Sequence, residues 1–74
     1  MLKKYLNAKD LNCPLPLLKT KLSLSELNSG EILEITATDP TSWEDFASYA
    51  KISGNKLIHA KKKDGKFVYR IEKK

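Results

Sequence analysis

The chain has 74 residues, 41% of them hydrophobic, and a formal net charge of +5. That is enough for one small domain, residues 1–74, with a thin core, and too apolar for disorder. A single cysteine and a single histidine exclude an internal disulfide and leave too few ligands for a metal site. The apolar runs are too short to span a bilayer, and Met1-Leu2-Lys3-Lys4-Tyr5-Leu6 carries charge with no apolar stretch behind it, so no signal peptide is expected. The expected location is the cytoplasm, a reducing compartment where a free thiol persists.

Residues 3–8 alternate as a strand does, with Leu6 and Ala8 on one side and Tyr5 and Asn7 on the other. Asp10-Leu11-Asn12 then turns the chain into a helix that opens at Cys13 and is predicted to run to about Asn28, ahead of a stop at Gly30. Pro14 suits the first helical position, where an N–H would have no partner, and Pro16 is tolerated near it while stiffening the entry. On a helical projection Leu17, Thr20, Leu24 and Leu27 form a long apolar stripe that should face a sheet. Leu15, Leu18 and Leu22 form a shorter second stripe at the cysteine end, partly exposed in a two-layer domain, and either a docking surface or long side chains folded down on neighbouring loops.

Cys13 therefore stands at a strand-to-helix turn. A lone cysteine is commonly a small, inert, buried hydrophobe. At a helix start, the unpaired N–H groups and the positive end of the macrodipole favour a thiolate, which makes Cys13 a candidate nucleophile. Pro14 and Pro16 bring no N–H, so Leu15 is the expected backbone donor to the sulfur. Asp10 is a possible modulator, because a negative charge close to the thiol would oppose its ionisation.

Ile32 to Thr38 reads as a strand with Leu33, Ile35 and Ala37 on one face, stopped by Asp39-Pro40. Ser42 and Asp45 resemble a capping box, and Trp43, Phe46, Ala47 and Ala50 continue at helical spacing to Gly54. The remainder is a hairpin around Asp64-Gly65, a pair suited to a type I′ turn. Counting outward pairs Ile58 with Ile71, Ala60 with Tyr69 and Lys62 with Phe67 on an expected core face. Leu57 with Glu72, His59 with Arg70 and Lys61 with Val68 then fall on a wet face. His59 beside Arg70 is a poor base, and its element is not expected next to Cys13. The order β-α-β-α-β-β predicts an α/β fold: a two-layer sandwich with a four-stranded mixed sheet and two helices on one face, joined by right-handed crossovers.

Charge is unevenly spread. Residues 1–58 hold seven lysines and seven acids, so the excess lies in residues 59–74, with Lys61, Lys62, Lys63 and Lys66 around the hairpin turn. Such a patch protects a sheet edge from pairing or steers an acidic partner. An alternative function follows: an RNA-binding or regulatory interaction module using the basic hairpin and open sheet face. Specific nucleic-acid binding is not expected, because no exposed aromatics interleave with the lysines.

The motif Cys13-Pro14-Leu15-Pro16 at a helix start, Gly30-Glu31 before the second strand, Ala37-Thr38-Asp39-Pro40 followed by Asp45, then Gly54 and Asp64-Gly65 together resemble the TusA/SirA-like family of sulfur carrier proteins over nearly the whole chain. The chain departs from the family pattern at Asn7, usually acidic, at Asp10, usually glycine, at Asn55, often histidine, and at Leu22, often lysine. The resemblance implies that Cys13 accepts sulfane sulfur as a persulfide and relays it, with no metal or organic cofactor. It implies sulfur donor and acceptor proteins as partners, such as a cysteine desulfurase or a rhodanese-like protein. A membrane transporter of sulfur compounds is a further possible partner.

Overall fold

The computed structural model describes residues 2–74, so Met1 of the amino-terminal reading lies outside the described residues. The elements follow the expected order: β1 (Leu2–Ala8), α1 (Leu15–Ser25), β2 (Ile32–Ala37), α2 (Ser42–Ser53), β3 (Lys56–Lys63) and β4 (Lys66–Glu72). The strands lie in the order β1-β2-β4-β3, with β1 parallel to β2 and β4 antiparallel to both its neighbours. Both helices cover one face, and the α/β two-layer sandwich is the fold observed. Among the described residues, no helix is long and apolar enough to cross a membrane.

Alternation along the strands makes the sheet two-sided. Ala8, Ala37 and Phe67 align across three strands, as do Leu6, Ile35 and Tyr69, and Leu33 sits opposite Ile71. Leu24 and Leu27 from α1 and its trailing turn, and Phe46 from α2, close the core above them. Tyr69 lies at its centre. Its ring stacks on Phe46 with centroids 4.3 Å apart, and its hydroxyl shares a 2.7 Å hydrogen bond with the buried Ser42 hydroxyl. The opposite face is wet: Tyr5 is exposed, and the Arg70 Nε donates to Glu34 Oε1 at 2.9 Å across β2 and β4.

The stripes of α1 divide as their spacing predicts. Thr20, Leu24 and Leu27 are buried and Leu17 packs against the core, whereas Leu15, Leu18 and Leu22 are 45%, 47% and 69% exposed. The helix is shorter than expected at both ends. Pro14 is its N-cap and Leu15 its first residue. At the far end, Glu26 and Leu27 donate to the carbonyls of Ser23 and Leu24, a tighter spacing that ends the α-helix at Ser25.

Two further expectations are corrected. Ser42 and Asp45 do not form a capping box: Thr41 is the N-cap, without a side-chain cap bond, and Ser42 is turned inward to Tyr69. The buried Asp39 carboxylate holds the entry instead, accepting the Thr41 N–H at 3.2 Å and its hydroxyl at 2.8 Å. In the hairpin, Asp64 and Gly65 both have positive φ, 52° and 76°, as a type I′ turn requires, and His59 does face Arg70. A register shift between Leu57 and His59 then places Leu57, not Ile58, opposite Ile71. Leu57 is half-buried on the core, and Ile58, Ala60 and Lys62 are all exposed. The reason is position in the sheet: β3 is an edge strand, and the helices cover the buried residues of β4 but not the middle of β3.

Asp39→Ala removes the acceptor that ties the entry of α2 and is expected to cost about 1 kcal/mol of stability, read as a lower midpoint in urea unfolding with an unchanged slope.

Candidate functional site

Parallel pairing of β1 and β2 carries both strands to the same end of the sheet, where each is followed by a helix. Their two helix entries therefore lie side by side, outside the carboxyl ends of the strands. Residues 9–14 form the first entry. Asp10 adopts φ 66°, the left-handed conformation expected of a residue standing where the resembled family has glycine, and its N–H donates to Thr38 Oγ1 at 2.9 Å. This bond ties the first turn to the end of β2. Cys13 follows, joined to Pro14 by a cis peptide bond, with its side chain exposed and its thiol free.

Asp39, Thr41 and Asp45 come from the second entry. The Cys13 thiol donates to Asp45 Oδ2 at 3.4 Å. The Thr41 hydroxyl, and then its N–H, donate to the Asp39 carboxyl and lower its pKa from the ordinary carboxylate value. Cys13, Pro14, Pro16 and Leu17 face Asp39, Ser42, Asp45 and Phe46 across a cleft too tight to admit a water molecule.

The electrostatics reverse the expectation for the thiol. Its pKa lies above the ordinary cysteine value, first because the Asp45 carboxylate accepts the thiol proton in a hydrogen bond, then because of desolvation. The Thr41 hydroxyl, which favours the thiolate, works against these, and the charges of Asp45 and Asp39 add to them. The expected backbone donor is absent, because the Leu15 N–H is committed to the Asn12 carbonyl at 2.8 Å. The opposing acids are Asp45 and Asp39 rather than Asp10. A carboxylate in hydrogen-bond contact outweighs a partial helix charge that has no N–H aimed at the sulfur.

The structure thus brings Pro14 and Pro16 to the thiol and places Leu15, Leu18 and Leu22 on the exposed side of the same helix. Asp39, Thr41 and Asp45 were not anticipated as neighbours of the sulfur. The signal for them is topological: two successive β-α units on parallel neighbouring strands place their turns together. The lysines of the hairpin are at this same end of the sheet, since Ala8 and Ala37 at the ends of β1 and β2 align with Phe67 just after the β3–β4 turn. Lys61, Lys63, Asp64, Lys66 and Val68 line an open hollow there of about 320 Å³, separate from the thiol.

Asp45→Asn removes the charge and the strong acceptor that favour the protonated sulfur. The thiol pKa is expected to fall and iodoacetamide alkylation near pH 7 to quicken, with Asp10→Asn leaving the rate unchanged; equal rates in wild type and Asp45→Asn contradict this account.

Comparison with known proteins bears on the same features. The family described as Sulfurtransferase TusA matches residues 4–73. A protein of Allochromatium vinosum named Sulfur carrier protein TusA is 47% identical over 68 residues, covering 92% of this chain and 90% of the relative. A protein of Pseudomonas entomophila with the same name is 33% identical over 69 residues, covering 93% and 86%. The crystal structure of a SirA-like protein from Desulfitobacterium hafniense superposes with a TM-score of 0.84 over 95% of this chain and 96% of that one, at 22% identity, which shows a shared fold. With a family match that runs from Lys4 to Lys73 and 47% identity over 68 aligned residues to a TusA carrier of similar length, this chain belongs to the TusA family.

Proposed function

We propose that this protein is a sulfur carrier in which Cys13 accepts sulfane sulfur as a persulfide and passes it to an acceptor protein. The observation that carries this reading is the placement of the chain's one thiol: exposed, free, and at the first helix entry within Cys13-Pro14-Leu15-Pro16. The family relationship supplies the chemistry, and the site suits it. Cys13 is exposed beside a tight cleft, so a second sulfur on it can project into solvent, within reach of another protein's nucleophile. The raised thiol pKa keeps the empty carrier largely protonated near neutral pH, which limits oxidation and adventitious alkylation between transfers.

The partners that fit are a protein that delivers sulfane sulfur and one that receives it, in a cytoplasm reducing enough to keep the thiol free. Leu15, Leu18 and Leu22 offer an apolar stripe leading away from Cys13 on the exposed side of α1. Lys61, Lys62, Lys63 and Lys66 at the same end of the sheet favour an acidic partner and add steering rather than chemistry.

Incubation with a persulfide donor should add the mass of one sulfur to the intact protein, removable by reductant, and Cys13→Ser should fold and add none. A sulfur mass gained by Cys13→Ser overturns the assignment. Leu18→Lys should leave the melting temperature nearly unchanged and loading from a small donor intact, while slowing exchange with a protein partner several-fold; loss of folding would place Leu18 in the core.

A further inference from the structure

Asp45 and Cys13 join the two helix entries. The carboxylate is half-buried in the first turn of α2, its backbone N–H bonded to the Thr41 carbonyl at 3.1 Å and its Oδ2 accepting the thiol of Cys13. We propose that Asp45 sets how firmly Cys13 holds sulfur: it accepts the hydrogen bond of the empty thiol and repels the charged sulfur of the loaded one, so that cargo is held loosely and released readily. The inference rests on Cys13 as the sulfur-bearing residue.

Loading from a persulfide donor is an exchange. The Cys13 sulfur, as thiolate, attacks the outer sulfur of R–S–SH. A new S–S bond forms at Sγ, the donor's S–S bond breaks, and the proton given up by Cys13 leaves with the donor as R–SH. One thiol and one persulfide are consumed and one of each is formed, so no oxidant or reductant is needed.

Two effects of this exchange favour the empty form. The loaded Sγ carries no proton, so its hydrogen bond to Asp45 is lost. The outer sulfur is the conjugate base of a stronger acid than a thiol and is anionic near neutral pH. Because the cleft admits nothing the size of a water, that charge stands at its mouth, close to Asp45 on α2 and Asp39 on the preceding turn. The first turn of α1 has no acidic residue, the Thr41 hydroxyl proton is committed to Asp39, and among the described residues no lysine or arginine is among the groups that act on the sulfur.

The test is an exchange equilibrium. Purified protein is mixed with fixed ratios of glutathione persulfide to glutathione, and the loaded fraction is read by intact mass at neutral pH. Asp45→Asn preserves the shape of the side chain and removes its charge; the exchange constant toward loaded protein is expected to rise about fivefold, the scale of one half-exposed charge interaction. Asp45→Ser should move it the same way, which guards against a folding defect in either variant, and both should lower the pH midpoint of thiol alkylation. Asp10→Asn should change neither quantity. A constant unchanged or lowered in both Asp45 variants, with wild type loading normally, overturns the role given to Asp45 alone. A wild-type protein that takes up no sulfur overturns the carrier role of Cys13 and this inference with it.

Discussion

Everything at the thiol depends on the parallel pairing of β1 with β2. A parallel neighbour can be reached only by a crossover, here α1, and the crossover puts the start of α1 and the start of α2 at one end of the sheet. The aligned Ala8 and Ala37, both fully buried, mark where the two strands end together beneath the helices. From there the bond between the Asp10 N–H and Thr38 Oγ1 ties one turn to the other, and Asp39 accepts from the Thr41 N–H and hydroxyl. The first turn is thus tied to the second helix entry through Asp10, and the cysteine meets that entry through its own side chain.

The site then balances two opposite electrostatic demands. Transfer chemistry needs a thiolate at the moment of attack, while a free exposed thiol is safest when protonated. A helix start with open N–H groups would serve the first demand. This chain limits it: Pro14 and Pro16 have no N–H, and that of Leu15 is already bonded. What stands against the sulfur is the Asp45 carboxylate, which accepts the thiol proton and favours S–H.

The same two-layer construction explains the outer surfaces. Two helices cover the middle of a four-stranded sheet, so Leu33, Ile35, Ala37, Phe67, Tyr69 and Ile71 are buried while β3 at the edge is exposed along most of its length. An exposed edge strand invites pairing with other chains, and the run Lys61-Lys62-Lys63 opposes it by charge. With α1 lying on the sheet and none of the described residues covering its outer side, Leu15, Leu18 and Leu22 remain open beside the thiol.

Periodicity and turn chemistry in the sequence determined the elements, their order and the face each presents. Leu33, Ile35 and Ala37 alternate as a half-buried strand must, Leu24 shares the buried side of α1 with Thr20 and Leu27 follows in the trailing turn, and Asp64-Gly65 demands a turn with two positive φ angles; these are local constraints, written in neighbouring residues. The motif at Cys13 likewise pointed to the thiol and to the family. Where the sequence misled, the deciding contacts join distant positions. Ser42 looks like a cap until Tyr69, 27 residues on, offers its hydroxyl. Ile58 counts as core-facing until a register shift hands its place to Leu57. Cys13 looks like a thiolate and Asp10 like its opponent until the fold places Asp45, 32 residues away, in hydrogen-bond contact with the sulfur. Spacing along the chain carries no information about such meetings, because they arise only when parallel strands bring two separate turns to one end of a sheet.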